Sequence, residues 1–151
     1  MRDFTRTFVA LFYLLGWVSH VYLGLFAPET YRVFGGTALI PAYTTLWYNV
    51  AMPNITALAL LLAAFEVLVG GLLISRGKWV KAGLILSLLF NLFLVQMGLS
   101  YQAADWPSDF LVNRLPNLLF MALQVPLLWG QDVRSIPEAL WGFISRRRQA
   151  R

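Results

Sequence analysis

The chain has 151 residues, of which 59% are hydrophobic and only 13% are charged. Soluble domains are nearer one half apolar and one quarter charged, so this composition excludes a soluble globular protein and indicates a membrane protein. Twelve Lys and Arg against seven Asp and Glu give a formal net charge of +5. The absence of cysteine and the single histidine exclude disulfides and thiolate chemistry, and we expect no metal.

Four apolar stretches are long enough to cross a hydrocarbon core as helices. We therefore predict an all-α membrane protein in which four transmembrane helices form a bundle. The segments between the spans are too short for a separate folded domain, so residues 1–151 are expected to form a single four-span membrane domain. The predicted spans are about 7–26, 55–75, 82–99 and 111–129.

Most basic residues lie on one side of these spans. Ten of the twelve precede span one, join spans two and three, or follow span four, and only Arg32 and Arg114 lie on the other side. Because short cytoplasmic loops collect Lys and Arg, we predict that both termini are cytoplasmic and that the membrane is the bacterial inner membrane. The basic charge then reflects topology and contact with anionic lipid, and nucleic acid is not an expected partner.

The predicted outer loop, residues 27–54, is rich in aromatic side chains. After Pro41, apolar residues recur at the spacing of one helix face, which predicts a short helix with proline in its first turn. Its role stays open between an aromatic anchor in the outer interface and a lid over an intramembrane pocket. The residues of this face are Tyr43, Leu46, Trp47 and Val50.

The C-terminal segment, residues 135–148, has the pattern of an amphipathic helix on the cytoplasmic leaflet. Ser135 and Glu138 have the spacing of a capping box. An apolar stripe follows, and then three arginines that we expect to bind anionic lipid, with docking of a partner protein as the alternative. The stripe is Ile136, Leu140, Phe143 and Ile144, and the arginines are Arg146, Arg147 and Arg148.

Glu66 is the formally charged residue that lies well inside a predicted span. A carboxyl group at that depth must be protonated, paired or open to a cavity, so we expect it to point into the bundle. Helical rise places it roughly 16 Å below the outer end of span two, and polar residues of the other spans lie at comparable depths. They are His20, Asn91 and Gln124, and Asn117 lies on the same stripe of span four as Gln124.

This group of polar residues has two interpretations. In the first, it holds the helices together, with Glu66 protonated and hydrogen bonded to Asn91 or Gln124. In the second, it binds a ligand such as a quinone or exchanges protons, because a buried carboxyl group beside a histidine suits both tasks. No serine nucleophile motif, phosphate-binding loop or metalloprotease motif occurs, so we do not expect catalysis by this chain alone.

The stretch from Glu66 onward resembles spans two and three of the DoxX-like family of small four-helix membrane proteins. Glu66 is followed by Gly70-Gly71-Leu72-Leu73, and Gly77, Lys81 and Gly83 then open the next span. The resemblance implies a left-handed four-helix bundle and an association with membrane redox chemistry, with quinone as the implied cofactor. Glu66, Gly70 and Gly71 match the family pattern, whereas the lysine expected near the outer end of span one is absent.

The sequence thus leaves three functional hypotheses. The first is a small subunit of a larger, quinone-associated membrane assembly, formed with other membrane proteins or with further copies of this chain. The second is a stand-alone protein that binds a lipid or small molecule in a pocket around Glu66. The third, an enzyme in its own right, has the least support.

Overall fold

The computed structural model describes residues 2–131, 134–139 and 141. This part of the chain consists of helices, turns and short connections and contains no β-strand. Besides the α-helices, short 3₁₀ and π turns extend several of them at their ends. The six helices are α1 (Arg2–Phe26), α2 (Pro41–Leu46), α3 (Ile55–Ile74), α4 (Lys78–Met97), α5 (Trp106–Asp109) and α6 (Leu115–Gln124).

Four helical segments of the described chain are long and apolar enough to cross a membrane, which confirms the all-α class and the number of spans. The first begins at Arg2, five residues before the predicted start, and α4 begins at Lys78 and ends at Met97, so that it starts and ends earlier than predicted. Charged residues caused the two earlier starts, because the apolar window excluded them, whereas α4 ends early because Gly98 follows it with φ +84°. The four segments are Arg2–Phe26, Pro41–Ile74, Lys78–Met97 and Trp106–Trp129.

The predicted outer loop is helical over much of its length. It begins with a 3₁₀ segment, Pro28–Thr37, and α2 then starts at Pro41, as the proline position predicted. A π turn at Trp47–Ala51 and a 3₁₀ turn at Met52–Asn54 connect α2 to α3. The second span is therefore the end of a helical segment of 34 residues.

Helix α1 packs along α3, and α4 packs against both α3 and α6. Small residues permit the close approach of α1 and α3. A Cβ atom on Gly24 would lie 2.7 Å from the Ala59 Cβ, and one on Gly70 would lie 2.6 Å from the Leu14 side chain. These distances are shorter than van der Waals contact, so larger residues there would force the two helices apart.

At the end of the bundle where α1 begins, two arginines of α1 bind backbone carbonyls of the segment that follows α6. Arg2 Nη2 donates to the Leu127 carbonyl at 2.6 Å, and Arg6 Nη2 donates to the Arg134 carbonyl at 3.0 Å. The predicted capping box is confirmed, because the Ser135 N–H donates to Glu138 Oε2 at 2.8 Å and the Glu138 N–H donates to Ser135 Oγ at 3.4 Å. Leu140, Phe143, Ile144 and the three predicted lipid-binding arginines lie outside the described residues.

Candidate functional site

Glu66 and His20, which were both expected in one polar zone of the bundle, meet between α1 and α3. His20 Nε2 lies 3.4 Å from Glu66 Oε1, and His20 Nδ1 lies 2.6 Å from the Tyr31 hydroxyl oxygen. The Glu66 side chain is only 5% exposed and that of His20 is 21% exposed. The three side chains form one chain of polar contacts, which we call the Glu66–His20–Tyr31 triad.

The carboxyl group of Glu66 lies directly against the backbone of α1. A Cβ atom on Gly16 would be 2.9 Å from Glu66 Oε2. The carboxyl group therefore fits against α1 only because residue 16 has no side chain. Oε2 itself is buried and has no hydrogen-bond partner among the described residues. A buried oxygen without a partner costs roughly 1–3 kcal/mol, so the Glu66 carboxyl group keeps hydrogen-bonding capacity that the described residues do not use.

The triad can hold a proton in more than one place. A neutral imidazole has one N–H, yet both ring nitrogens of His20 face an oxygen atom. If Nδ1 donates to Tyr31, Nε2 must accept from a protonated Glu66; if Nε2 donates to a Glu66 carboxylate, Nδ1 must accept from Tyr31. The first arrangement holds one proton more than the second, so converting one into the other requires a proton to leave or enter the triad. Its chemistry is therefore hydrogen bonding and proton exchange.

Tyr31 connects the triad to the segment that covers it, residues 27–54, which we call the aromatic segment. It lies between α1 and α2, outside the membrane-spanning helices, and burial raises the pKa of its hydroxyl to about 12, with the nearby Glu66 carboxyl as a smaller cause. Tyr31 therefore keeps its proton at physiological pH. Its backbone carbonyl accepts a hydrogen bond of 2.9 Å from Trp47 Nε1, which ties the 3₁₀ segment to the helical segment after it.

The triad forms the polar end of a cavity of about 360 Å³. The rest of the wall is apolar and comes from α1, α3, α4 and the aromatic connection between α1 and α3. This is the pocket that one interpretation of the aromatic segment predicted, with Tyr31, Phe34 and Trp47 forming its cover. The lining residues are Phe12, His20, Tyr31, Phe34, Trp47, Ile55, Leu58, Ala59, Leu62, Glu66, Phe90, Phe93, Leu94, Met97 and Leu99.

Asn91 belongs to a different group of polar side chains. Its Nδ2 donates to the Tyr13 hydroxyl at 2.9 Å and to the Ser87 carbonyl at 2.8 Å, and the Tyr13 hydroxyl lies 2.7 Å from Ser87 Oγ. This buried network joins α1 to α4. The sequence analysis missed Tyr13, which lies seven residues before His20 and therefore on the same side of α1.

The expected hydrogen bond from Glu66 to Asn91 or Gln124 is therefore wrong, because the amide groups of both residues donate elsewhere. Gln124 is fully buried, but its Nε2 donates to the Phe120 carbonyl of its own helix at 3.1 Å. Gln124 Oε1 and Asn117 Nδ2 are buried without a hydrogen-bond partner among the described residues. Similar depth did not bring these residues to Glu66, because depth does not fix the direction in which a helix face points.

Arg114, another buried charged residue, was not predicted as part of any site. Its Nε donates to Asp109 Oδ2 at 3.0 Å, its Nη1 donates to the Val95 carbonyl at 2.9 Å, and its Nη2 donates to the Thr37 carbonyl. Asn113 beside it accepts from the N–H groups of Leu99 and Tyr101, both at 3.0 Å. We call these interactions of Arg114, Asn113 and Asp109 the Arg114 clamp, because they hold three connecting segments together.

The other acidic side chains of the described residues do not gather around the triad. Within the described part of the chain, no three His, Asp or Glu side chains come close enough to hold a metal ion. Comparison with protein-family models, with curated proteins and with solved structures finds no match for this chain. The geometry and chemistry of the cavity therefore carry the functional argument, and the DoxX-like resemblance stays a hypothesis.

Proposed function

We propose that this membrane protein binds a small lipid-soluble molecule whose polar head group lies against the Glu66–His20–Tyr31 triad. The observation that carries the proposal is Glu66, which lines an apolar cavity and has one buried carboxyl oxygen, Oε2, without a partner among the described residues. Apolar pockets with a few convergent polar groups are typical of ligand sites. This is the second of the three hypotheses from the sequence, and the cavity favours it over the other two.

The triad favours a head group that can both accept and donate hydrogen bonds. A carbonyl oxygen of the ligand can accept from Tyr31 or His20, and a hydroxyl group can donate to Glu66 Oε2. Quinones and quinols have these groups on a flat ring attached to an apolar chain, and the DoxX-like resemblance points to the same class. We therefore propose a quinone or quinol as the ligand to test first.

We also propose the bacterial inner membrane as the location, with both termini in the cytoplasm and the aromatic segment at the outer interface. The ten basic residues on the terminal side support this orientation. Arg146, Arg147 and Arg148 would then lie near anionic lipid on the cytoplasmic leaflet. A reporter fused after Arg151 should read cytoplasmic and one inserted at Gly36 should read external; an external C-terminus would contradict this topology.

The binding test compares ligand content in purified variants. Glu66→Gln removes the acidic proton with little change of shape, and His20→Phe removes the link to Tyr31, so each should lower the bound quinone severalfold at unchanged protein yield. Glu29→Gln, on an exposed carboxyl group, is the matched control and should leave ligand content unchanged. Mass spectrometry of the lipid extract gives the measurement, and equal ligand content in all variants would contradict the proposal.

The same preparation tests the assembly hypothesis. A subunit of a larger complex should co-purify with other membrane proteins in mild detergent, whereas a stand-alone binding protein should purify alone with its ligand. If partners are recovered equally with wild type and Glu66→Gln while the ligand is lost, binding is a property of this chain within an assembly. If Asn91→Leu loses its partner proteins but keeps a normal ligand content, the Tyr13–Ser87–Asn91 network has a structural role in the assembly and no role in ligand binding.

A further inference from the structure

An apolar groove of about 360 Å³ runs beside the cavity, between the aromatic segment and helices α3 and α4. Tyr43, Leu46, Val50 and Ala51 line the groove and do not line the cavity. Four other residues line both spaces, so a single layer of side chains separates them. These shared residues are Trp47, Leu58, Phe93 and Met97.

The groove faces the outside of the helical segment. Leu46 is 54% exposed, Val50 is 55% exposed and Phe93 is 42% exposed, although all three are apolar. In a chain whose long helices are apolar enough to cross a membrane, exposed apolar side chains of this kind contact lipid chains. The groove is thus open on its lipid side, while the cavity behind it ends at the triad.

We infer that the ligand enters sideways from the bilayer, past Trp47 and Phe93, and that its apolar chain lies in the groove when its head group reaches the triad. This inference rests on the proposed function. It specifies the ligand as an amphiphile with one chain attached to a small head, because the cavity holds the head and the apolar groove adds a second volume of similar size. A compact molecule without a chain would leave the groove to lipid.

The wall between the two spaces is linked to the polar end by hydrogen bonds. Trp47 donates from Nε1 to the Tyr31 carbonyl, and the hydroxyl group of the same tyrosine contacts His20. Gly35 packs closely against this wall, since a Cβ atom there would lie 2.8 Å from Trp47 Cδ1. Moving Trp47 aside for an entering chain therefore requires breaking one hydrogen bond, and a head group at the triad contacts the residue that holds Trp47 in place.

The test uses photochemical labelling in lipid bilayers. The probe is a benzoquinone with a ten-carbon chain that carries a diazirine group midway along the chain. After illumination, we expect adducts on the segment 43–51 and around Phe93, and we expect an excess of the unlabelled quinone to suppress them. Glu66→Gln should lower the yield of these adducts severalfold, because the head group loses its partner while the groove is unchanged.

Two matched variants separate the groove from the rest of the surface. Val50→Trp fills the groove without changing a residue that lines the cavity, and it should lower the adducts on 43–51 and Phe93 at least fivefold. Val67→Trp makes the same change at a side chain that is 45% exposed and lines neither space, and it should leave the adducts unchanged.

The possible outcomes distinguish ligand binding at the triad from entry of the ligand through the groove. If wild-type adducts are not suppressed by the unlabelled quinone, both the proposed function and the groove are overturned. If the adducts depend on Glu66 but spread over the whole lipid-facing surface, the cavity stands and the groove is overturned. If Val50→Trp leaves labelling intact but dissociates a dimer in size-exclusion chromatography, the groove seats a second copy of the chain and the inference is wrong.

Discussion

Arg114 and Glu66, two of the three charged residues that are buried in the described part of the chain, differ in how completely their hydrogen-bonding groups are paired. Arg114 has protein acceptors around its guanidinium group, including Asp109 and three backbone carbonyls. Glu66 contacts His20 through one oxygen, while its other oxygen has no partner among the described residues. A fully paired buried charge holds a fold together, whereas a half-paired charge beside a cavity has capacity left for a ligand.

The largest expected effect comes from breaking the Arg114 clamp. Arg114→Met should lower the free energy of unfolding by about 3–5 kcal/mol, because Asp109 and three carbonyls lose a buried partner. Unfolding in mixed micelles by titration with dodecyl sulfate measures this change. Arg32→Met, at an exposed ion pair with Glu29, is the control and should have little effect. Equal stabilities of the two variants would show that the clamp does not hold the connections.

A smaller effect is expected where the backbone approaches the clamp. Gly98 has φ +84°, and a Cβ atom there would lie 2.7 Å from Thr37 Oγ1 and 2.9 Å from Arg114 Nη1. Gly98→Ala should therefore cost about 2–4 kcal/mol in the same assay. Gly77 also has a positive φ, of +63°, but a Cβ atom there meets nothing within 4 Å, so Gly77→Ala should cost only about 1–2 kcal/mol. Similar costs would mean that backbone strain alone matters.

The triad should show the opposite pattern of effects. Glu66→Gln should change the free energy of unfolding by less than about 1 kcal/mol, because an amide oxygen can still contact His20 and Oε2 has no protein partner to lose. The same variant should lose bound ligand. A large loss of stability in ligand-free protein would place Glu66 with Arg114 as a structural residue, and the contrast between the two regions would fail.

The smallest effect concerns pH and the exposed carboxyl group beside the clamp. Asp105 caps α5, and its hydrogen bonds with Ser108 hold its pKa below the ordinary value of 3.8. A lowered pKa in the folded state means that Asp105 contributes stability above pH 3.8 and loses that contribution as the pH falls through the lowered pKa. Between pH 5 and pH 3, the unfolding temperature of Asp105→Asn should fall slightly less with decreasing pH than that of the wild type. An equal fall in both proteins would contradict this role.

The sequence predicted the four long apolar helices well, because such helices are recognised from local hydropathy alone. It also predicted the start of α2 at Pro41 and the capping box at Ser135, which are features of short stretches of chain. The contact between His20 and Glu66 agreed with a depth estimate from helical rise. The association of Asn91 with Tyr13 and Ser87 did not, because the direction of a side chain around its helix depends on how the helices pack.

The Arg114 clamp could not be predicted for a related reason. Near the start of a span, an arginine looks like an interface residue, and its acceptors come from segments 77 and 19 positions away in the chain. The spacing of Asp109 and Arg114 was no local signal either, because residues five apart do not share a face of an α-helix and this pair meets across the π turn Phe110–Arg114. The cavity likewise depends on the aromatic connection folding back over α3, which hydropathy does not record.

The helical segment Pro41–Ile74 has 34 residues and α4 has 20. At the rise of an α-helix these correspond to roughly 51 Å and 30 Å, and only the shorter length equals the thickness of a typical hydrocarbon core. The excess must leave the core or tilt, and the change of helix type around Pro53, which lacks an N–H, is where the segment can bend. Hydrophobic mismatch then acts on the segment Pro41–Ile74 more than on the other helices. Bilayer thickness therefore affects the angle between α3 and the residues before it that cover the cavity.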